Sequence, residues 1–126
     1  MPVEYIVDIE NRIVRTTFSG TITSRELREM LSRLAIDPSF SSEFSELAVF
    51  DQNCSLQLSF LDFKASACID PFTLKSKRAL VVGQSRAHYG VARMFQTARN
   101  DSARIRIFED LNTALSWLLD LEEQAS

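Results

Sequence analysis

The only histidine of this 126-residue chain, His88, lies in the stretch QSRAHYGVARMFQTARN at residues 84–100. Histidine is the side chain whose ordinary pKa lies nearest neutrality, so it is the first place to look for acid–base chemistry. Ser85 and Tyr89 flank it, and Arg86 and Arg93 stand close by. A histidine base needs a nucleophile within reach and a partner that orients its ring. Ser85 has a simpler role at the start of a helix, where its oxygen meets free backbone N–H groups. At helical spacing His88 shares a side with Ala92, Phe95 and Arg99, which predicts a half-buried boundary position. Tyr89 is expected to pack its ring and leave its hydroxyl near water. Gly90 inside a helix costs about 1 kcal/mol relative to alanine, which suggests the close approach of a backbone or ligand. The residues read as a structural histidine or as a ligand or partner contact made by Arg86, His88, Tyr89 and Arg93, ahead of a catalytic centre.

No other stretch assembles a nucleophile, a base and an oxyanion site, so a catalytic role is not expected. There is no glycine-rich phosphate loop and no nucleophile elbow. One histidine and the distant Cys54 and Cys68 give no metal-ligand spacing, and no cofactor is implied. The two cysteines read as reduced thiols of a cytoplasmic protein. Asp62 and Asp70, about two turns apart on a helix, read as solvated charges. The net charge is −3, but residues 75–106 hold eight basic residues against Asp101 alone. Such asymmetry marks a binding face or, more blandly, solvated ends of strands and helices. An acidic chain without basic–aromatic stacking motifs does not suggest a nucleic-acid partner. The acidic N-terminus is not that of a signal peptide, and no apolar run approaches the roughly 18 residues of a membrane span.

The elements that must position these residues follow from hydrophobic periodicity. VEYIVDIENRIVRTTFSG alternates and is β-branched, which predicts a hairpin turning near Glu10 and Asn11, with Gly20 ending its second strand. TSRELREMLSRLAI is a helix capped by Thr23 or Ser24, with Leu27, Met30, Leu31 and Leu34 on one stripe. ELAVFD is a buried strand. A loop and then a helix from about Leu58 follow. RALVVG is a second buried strand, 86–99 a helix, ARIRIFED a strand and DLNTALSWLLDLEE a closing helix capped by Asp110. The order β-β-α-β-α-β-α-β-α predicts one α/β domain over 1–126, with a mainly parallel sheet, an antiparallel N-terminal hairpin and helices packed on the sheet.

In this order the chain resembles the SpoIIAA-like branch of the STAS superfamily, whose fold is related to Sec14-type (CRAL-TRIO) lipid-binding domains. VRTTFSGTIT, LAVFD, RALVVGQSRAHYGVARMF and RIFEDLNTALSWL carry the resemblance, with Phe108, Asp110, Ala114, Trp117 and Leu118 matching its closing pattern. The resemblance implies a non-catalytic regulatory module that engages a protein partner. Better-known STAS members are anti-sigma-factor antagonists, phosphorylated on a serine that follows the central strand in an Asp-Ser motif. Here that region reads FDQNCSLQLSF, where Asp51 ends the strand and Cys54 and Ser55 are the nearest candidates, without an Asp-Ser pair.

Nine phenylalanines are the unusual count, and Phe60 and Phe63, with Leu56, Leu58 and Leu61, exceed what one helix face requires. A helix apolar nearly all round buries its second side somewhere. That predicts a homodimer through residues 56–69. The alternative is a carrier or sensor of a small apolar or amphiphilic, lipid-like ligand, with Phe60 and Phe63 lining its pocket and Arg86 or Arg93 near an acidic head group. The third reading is a phosphoregulated anti-sigma-factor antagonist.

Overall fold

The computed structural model describes residues 2–101 and 103–119. Strands β1 (Val3–Asp8) and β2 (Ile13–Phe18) form the expected antiparallel hairpin. Its turn is held by Asp8, which accepts from the Asn11 backbone N–H at 3.1 Å and from Asn11 Nδ2 at 2.8 Å. Gly20 follows β2 at φ +65°, a conformation that glycine adopts without a Cβ penalty. It leads into β3 (Thr21–Ile22) and helix α1 (Ser24–Ala35). Thr23 opens α1: its backbone N–H donates to Glu26 at 3.1 Å and its hydroxyl to the same carboxylate at 2.8 Å. This is half of the reciprocal arrangement that marks helix starts.

Strand β4 (Ser45–Phe50) pairs parallel to β2, β6 (Arg78–Val81) to β4, and β7 (Ile105–Phe108) to β6. The resulting five-stranded sheet is mixed, with order β1-β2-β4-β6-β7. Between β4 and β6 lie β5 (Ser55–Leu56), α2 (Phe60–Ser66) and a 3-10 turn at Ala67–Ile69. Helices α3 (Arg86–Ala98) and α4 (Leu111–Leu118) follow β6 and β7.

The two faces of the sheet are covered unequally. Val14, Ala48, Leu80 and Ile105 join Leu27, Leu31 and Leu34 of α1, Phe63 of α2 and Phe95 of α3 in the larger core. On the other face Ile13, Leu47, Ala79 and Val81 pack against Ala114 and Leu118 of α4. Strands buried on both faces read as continuous apolar runs, which is why ELAVF and RALVV carry little alternation.

Two expectations are corrected. Helix α2 starts at Phe60 rather than Leu58, because Ser59 caps it: Ser59 Oγ accepts from the Asp62 N–H at 3.2 Å, and the Ser59 N–H donates to the Asp62 carboxylate at 2.8 Å. Leu56 and Leu58 therefore precede the helix instead of lying on it. The second is β5, which pairs in parallel with β3 through Ser55 N–H to Gly20 C=O at 2.7 Å and Gln57 N–H to Ile22 C=O at 2.8 Å. The expected closing helix beyond Leu119 lies outside the described residues.

Leu34 has no exposed surface and closes the α1 side of the larger core. Leu34→Ala is expected to lower the free energy of unfolding by about 2–5 kcal/mol in urea denaturation, the cost of lost burial plus a cavity.

Candidate functional site

Four charged side chains meet beneath α2. The parallel register sets Glu46 of β4 beside Arg78 of β6. Both fall in phase with the inward residues of their strands, so both enter the core: Glu46 is 3% exposed and Arg78 is 6% exposed. Arg78 Nε donates to Glu46 Oε1 at 3.0 Å, and Thr16 Oγ1 on β2 donates to Glu46 Oε2 at 3.3 Å. On its other side Arg78 Nη1 donates to Asp70 Oδ2 at 2.6 Å. Arg99, at the C-terminal end of α3, reaches the same oxygen through Nη2 at 2.8 Å and Nε at 3.2 Å. It also donates to the Phe63 carbonyl and, at 3.1 Å, to Ser66 Oγ. Phe72 and Phe95 lie against the Arg78 guanidinium at 4.5 and 5.0 Å, and Arg99 lies 4.7 Å from the Phe95 ring centre.

Two guanidiniums and two carboxylates make this network neutral overall, which is how charge survives out of water. Burial raises the Asp70 carboxyl, but the Arg78 and Arg99 guanidiniums lower it by more, and it lies below the ordinary carboxylate range. For Arg78, burial works against the charge while Glu46 and Asp70 overcome it and raise the pKa. Burial dominates at Arg99 and lowers its pKa.

The network separates two spaces. Inside is an apolar cavity of about 40 Å³, floored by Ala48 and Leu80 and roofed by Leu58 and Phe63, with Glu46, Arg78 and Arg99 on its wall. Outside is an open cleft of about 220 Å³, whose lining includes the charged Asp70, Arg78, Arg99 and Asp101 and the side chains of Phe72, Thr73, Leu74, Ser76 and Ile105.

Of the residues expected to form a site, Arg86 and Tyr89 line one open cleft with Ser85 and Phe108, and the others lie elsewhere. Phe63 is buried against Phe95, with ring centres 5.3 Å apart, and lines the cavity. Phe60 is 37% exposed, points outward and lines no part of it. Arg86 and Arg93 are exposed and do not reach the cavity; Arg93 donates to Gln96 Oε1 on its own helix. The arginines that line the cavity are Arg78 and Arg99. Asp70 is a buried ion-pair partner, not a solvated charge, because β6 and α3 bring both arginines to it.

His88 is fully buried, 4% exposed, rather than half-buried. Its Nε2 lies 2.8 Å from the Cys54 carbonyl and 3.5 Å from Cys54 Sγ. The carbonyl can only accept, so Nε2 carries the proton, and His88 ties the 51–55 segment to α3. A protonated Nε2 cannot take the Cys54 proton, and burial together with Asp51 raises that thiol's pKa. The pair is therefore not arranged as an activated thiolate. Ser85 caps α3 as expected, accepting from the His88 N–H at 3.1 Å. Tyr89 is half exposed. Gly90 meets no close approach, since a Cβ there would find nothing within 4 Å. Asp51 and Ser55 are exposed, with Ser55 in β5, and it is Ser59 that stands at the start of α2.

Among the described residues no group of three or more histidine, cysteine or acidic side chains is placed to hold a metal ion. No helix among them is long and apolar enough to cross a membrane. No family model, curated protein or solved structure matches the chain. Among the described residues the chain forms an α/β fold with a mixed sheet, four helices packed on it and a buried ion network at the N-terminal ends of β4 and β6.

Removing one partner from a buried ion network leaves an uncompensated charge. Arg78→Met is expected to cost about 3–5 kcal/mol in urea denaturation; a loss below about 1 kcal/mol would mean the network contributes little. Asp70 also sets a pH dependence. Its folded pKa is depressed, so its contribution is complete above the unfolded value of about 3.9 and is lost as the pH falls through the folded value. The stability gap between wild type and Asp70→Asn should therefore narrow below about pH 4, read from unfolding free energies across that range.

Proposed function

We propose that this chain is a non-catalytic binding and regulatory module of the SpoIIAA-like STAS type, which self-associates and engages a protein partner through the outer side of α2. The observation that carries the reading is the two-sidedness of α2. Phe63 is buried, while Leu61 on the opposite side is 74% exposed, with Phe60 and the following Ile69 also open to solvent. Exposed apolar side chains grouped on one segment are a candidate interaction surface. The antiparallel β1 edge on an otherwise parallel sheet, with helices between the parallel strands, supports the STAS-type reading of the element order. Free Cys54 and Cys68 support a cytoplasmic setting.

A second reading, a sensor of a small ligand, is favoured by the cavity and cleft on either side of the ion network. The cavity holds room for about three waters, too little for a long lipid chain in this conformation. The phosphoregulated reading draws less support, because Ser55 lies in β5 and has no adjacent aspartate.

Sedimentation equilibrium at tens of micromolar is expected to give a dimer for the wild type. Leu61→Asp, an exposed position, is expected to give a monomer whose far-UV circular dichroism matches that of the wild type. A monomeric wild type would remove self-association from the proposal.

A further inference from the structure

The outer cleft ends on two guanidiniums that share one carboxylate oxygen. Arg78 Nη1, Arg99 Nη2 and Arg99 Nε all donate to Asp70 Oδ2, at 2.6, 2.8 and 3.2 Å, whereas Oδ1 accepts from the Phe72 backbone N–H at 3.1 Å. All three groups line the same cleft. Asp70 reaches the pair from an irregular segment, between the 3-10 turn and Pro71, and not from the sheet or a long helix. Its attachment to both arginines faces the open cleft.

We infer that this cleft binds a small aliphatic carboxylate, which replaces Asp70 on Arg78 and Arg99. The inference rests on the ligand-sensing reading above and names its ligand class. The exchange is electroneutral: one carboxylate leaves the guanidiniums for water and another takes its place, so the buried charge stays balanced with Glu46. A planar two-oxygen acceptor fits the guanidinium fork, and because both groups are ionised each such bond is charge-assisted and short. The body of the ligand lies against Phe72, Leu74 and Ile105, and Thr73 and Ser76 border the head. At about 220 Å³ the cleft falls below the range of about 300–1,000 Å³ usual for drug-sized ligands, which limits the occupant to a short chain. Leu74 is 82% exposed although it forms a cleft wall, and a bound aliphatic chain would cover part of it.

The test is an amide NMR titration of the full chain with butyrate, with 1-butanol as the neutral control and chloride holding the ionic strength constant. Butyrate is expected to give saturable shifts at Phe72, Thr73, Leu74 and Arg99, and butanol none. Asp70→Asn leaves the guanidinium pair with a spare positive charge and should tighten butyrate binding by at least about tenfold. Leu74→Asp leaves the ion network untouched and should weaken binding severalfold. Folded Asp70→Asn protein that binds butyrate no better than wild type would overturn the exchange. Equal shifts with butanol and butyrate would also overturn it while leaving the ligand-sensing reading in place. If neither probe moves these amides in wild type or in Asp70→Asn, both fall together.

Discussion

The fold depends on keeping four charges neutral inside an apolar layer. Glu46 and Arg78 are fixed by the sheet register, and Thr16 supplies the second carboxylate oxygen with a donor. Arg99 and Asp70 come from elements outside the sheet and close the network. The arrangement ties four parts of the chain, β4, β6, the end of α3 and the segment after α2, to one point. Hydrophobic burial supplies most of the stabilisation of such a core but tolerates many packings. A neutral network with fixed donor directions tolerates few, because a shifted segment strands a charge. That is an argument for specificity of arrangement more than for net stability, since a well-packed apolar replacement of a buried ion network is often as stable.

Helix α2 shows what the network does for a weak element. A helix of this length is marginal in isolation, because nucleation fixes several residues for few hydrogen bonds. It has a capping box at Ser59 and Asp62, and Phe63 packs on Phe95. Its last turn is held by Arg99, which donates to the Phe63 carbonyl and to Ser66 Oγ. A cation there also suits the negative end of the helix dipole. At the other end of the sheet His88 plays a comparable part with a single bond, joining α3 to the 51–55 segment. Its Nδ1 has no hydrogen-bond partner among the described residues, so hydrogen bonding holds the ring from one side only.

What the sequence made legible follows from the range of the forces involved. The α1 stripe of Leu27, Met30, Leu31 and Leu34 is local, repeats at helical spacing and is buried as read. The Thr23, Ser85 and Asp110 starts are local too. The pairing of β3 with β5 joins residues far apart through two positions each, too short to leave a pattern. The ion network was half legible. Glu46 falls in phase with Ala48, and Arg78 with Leu80 and Val82, so strand periodicity alone places two charges on a buried face. Asp70 and Arg99 carry no such signal, because their burial depends on where a 3-10 turn and a helix end meet. The same limit applies to the basic residues: helix periodicity points Arg86 and Arg93 outward, as they are found, yet nothing in it brings Arg78 and Arg99 together.

The two proposals share one stretch of chain, and thermodynamics constrains how. Leu61, on the outer side of α2, and Asp70, on the inner network, belong to one continuous segment clasped by Arg99. A carboxylate that takes Asp70's place removes one of the contacts by which Arg99 holds that segment, while the contacts to Phe63 and Ser66 remain. If a partner covers Leu61 only when α2 is held in this position, the ligand weakens the partner's binding, and by linkage the partner weakens the ligand's by the same factor. If the partner instead accepts α2 in several positions, the two sites are independent although they lie within ten residues of each other. The sign and size of such a coupling would depend on the Arg99 clasp, which touches both the helix and the aspartate.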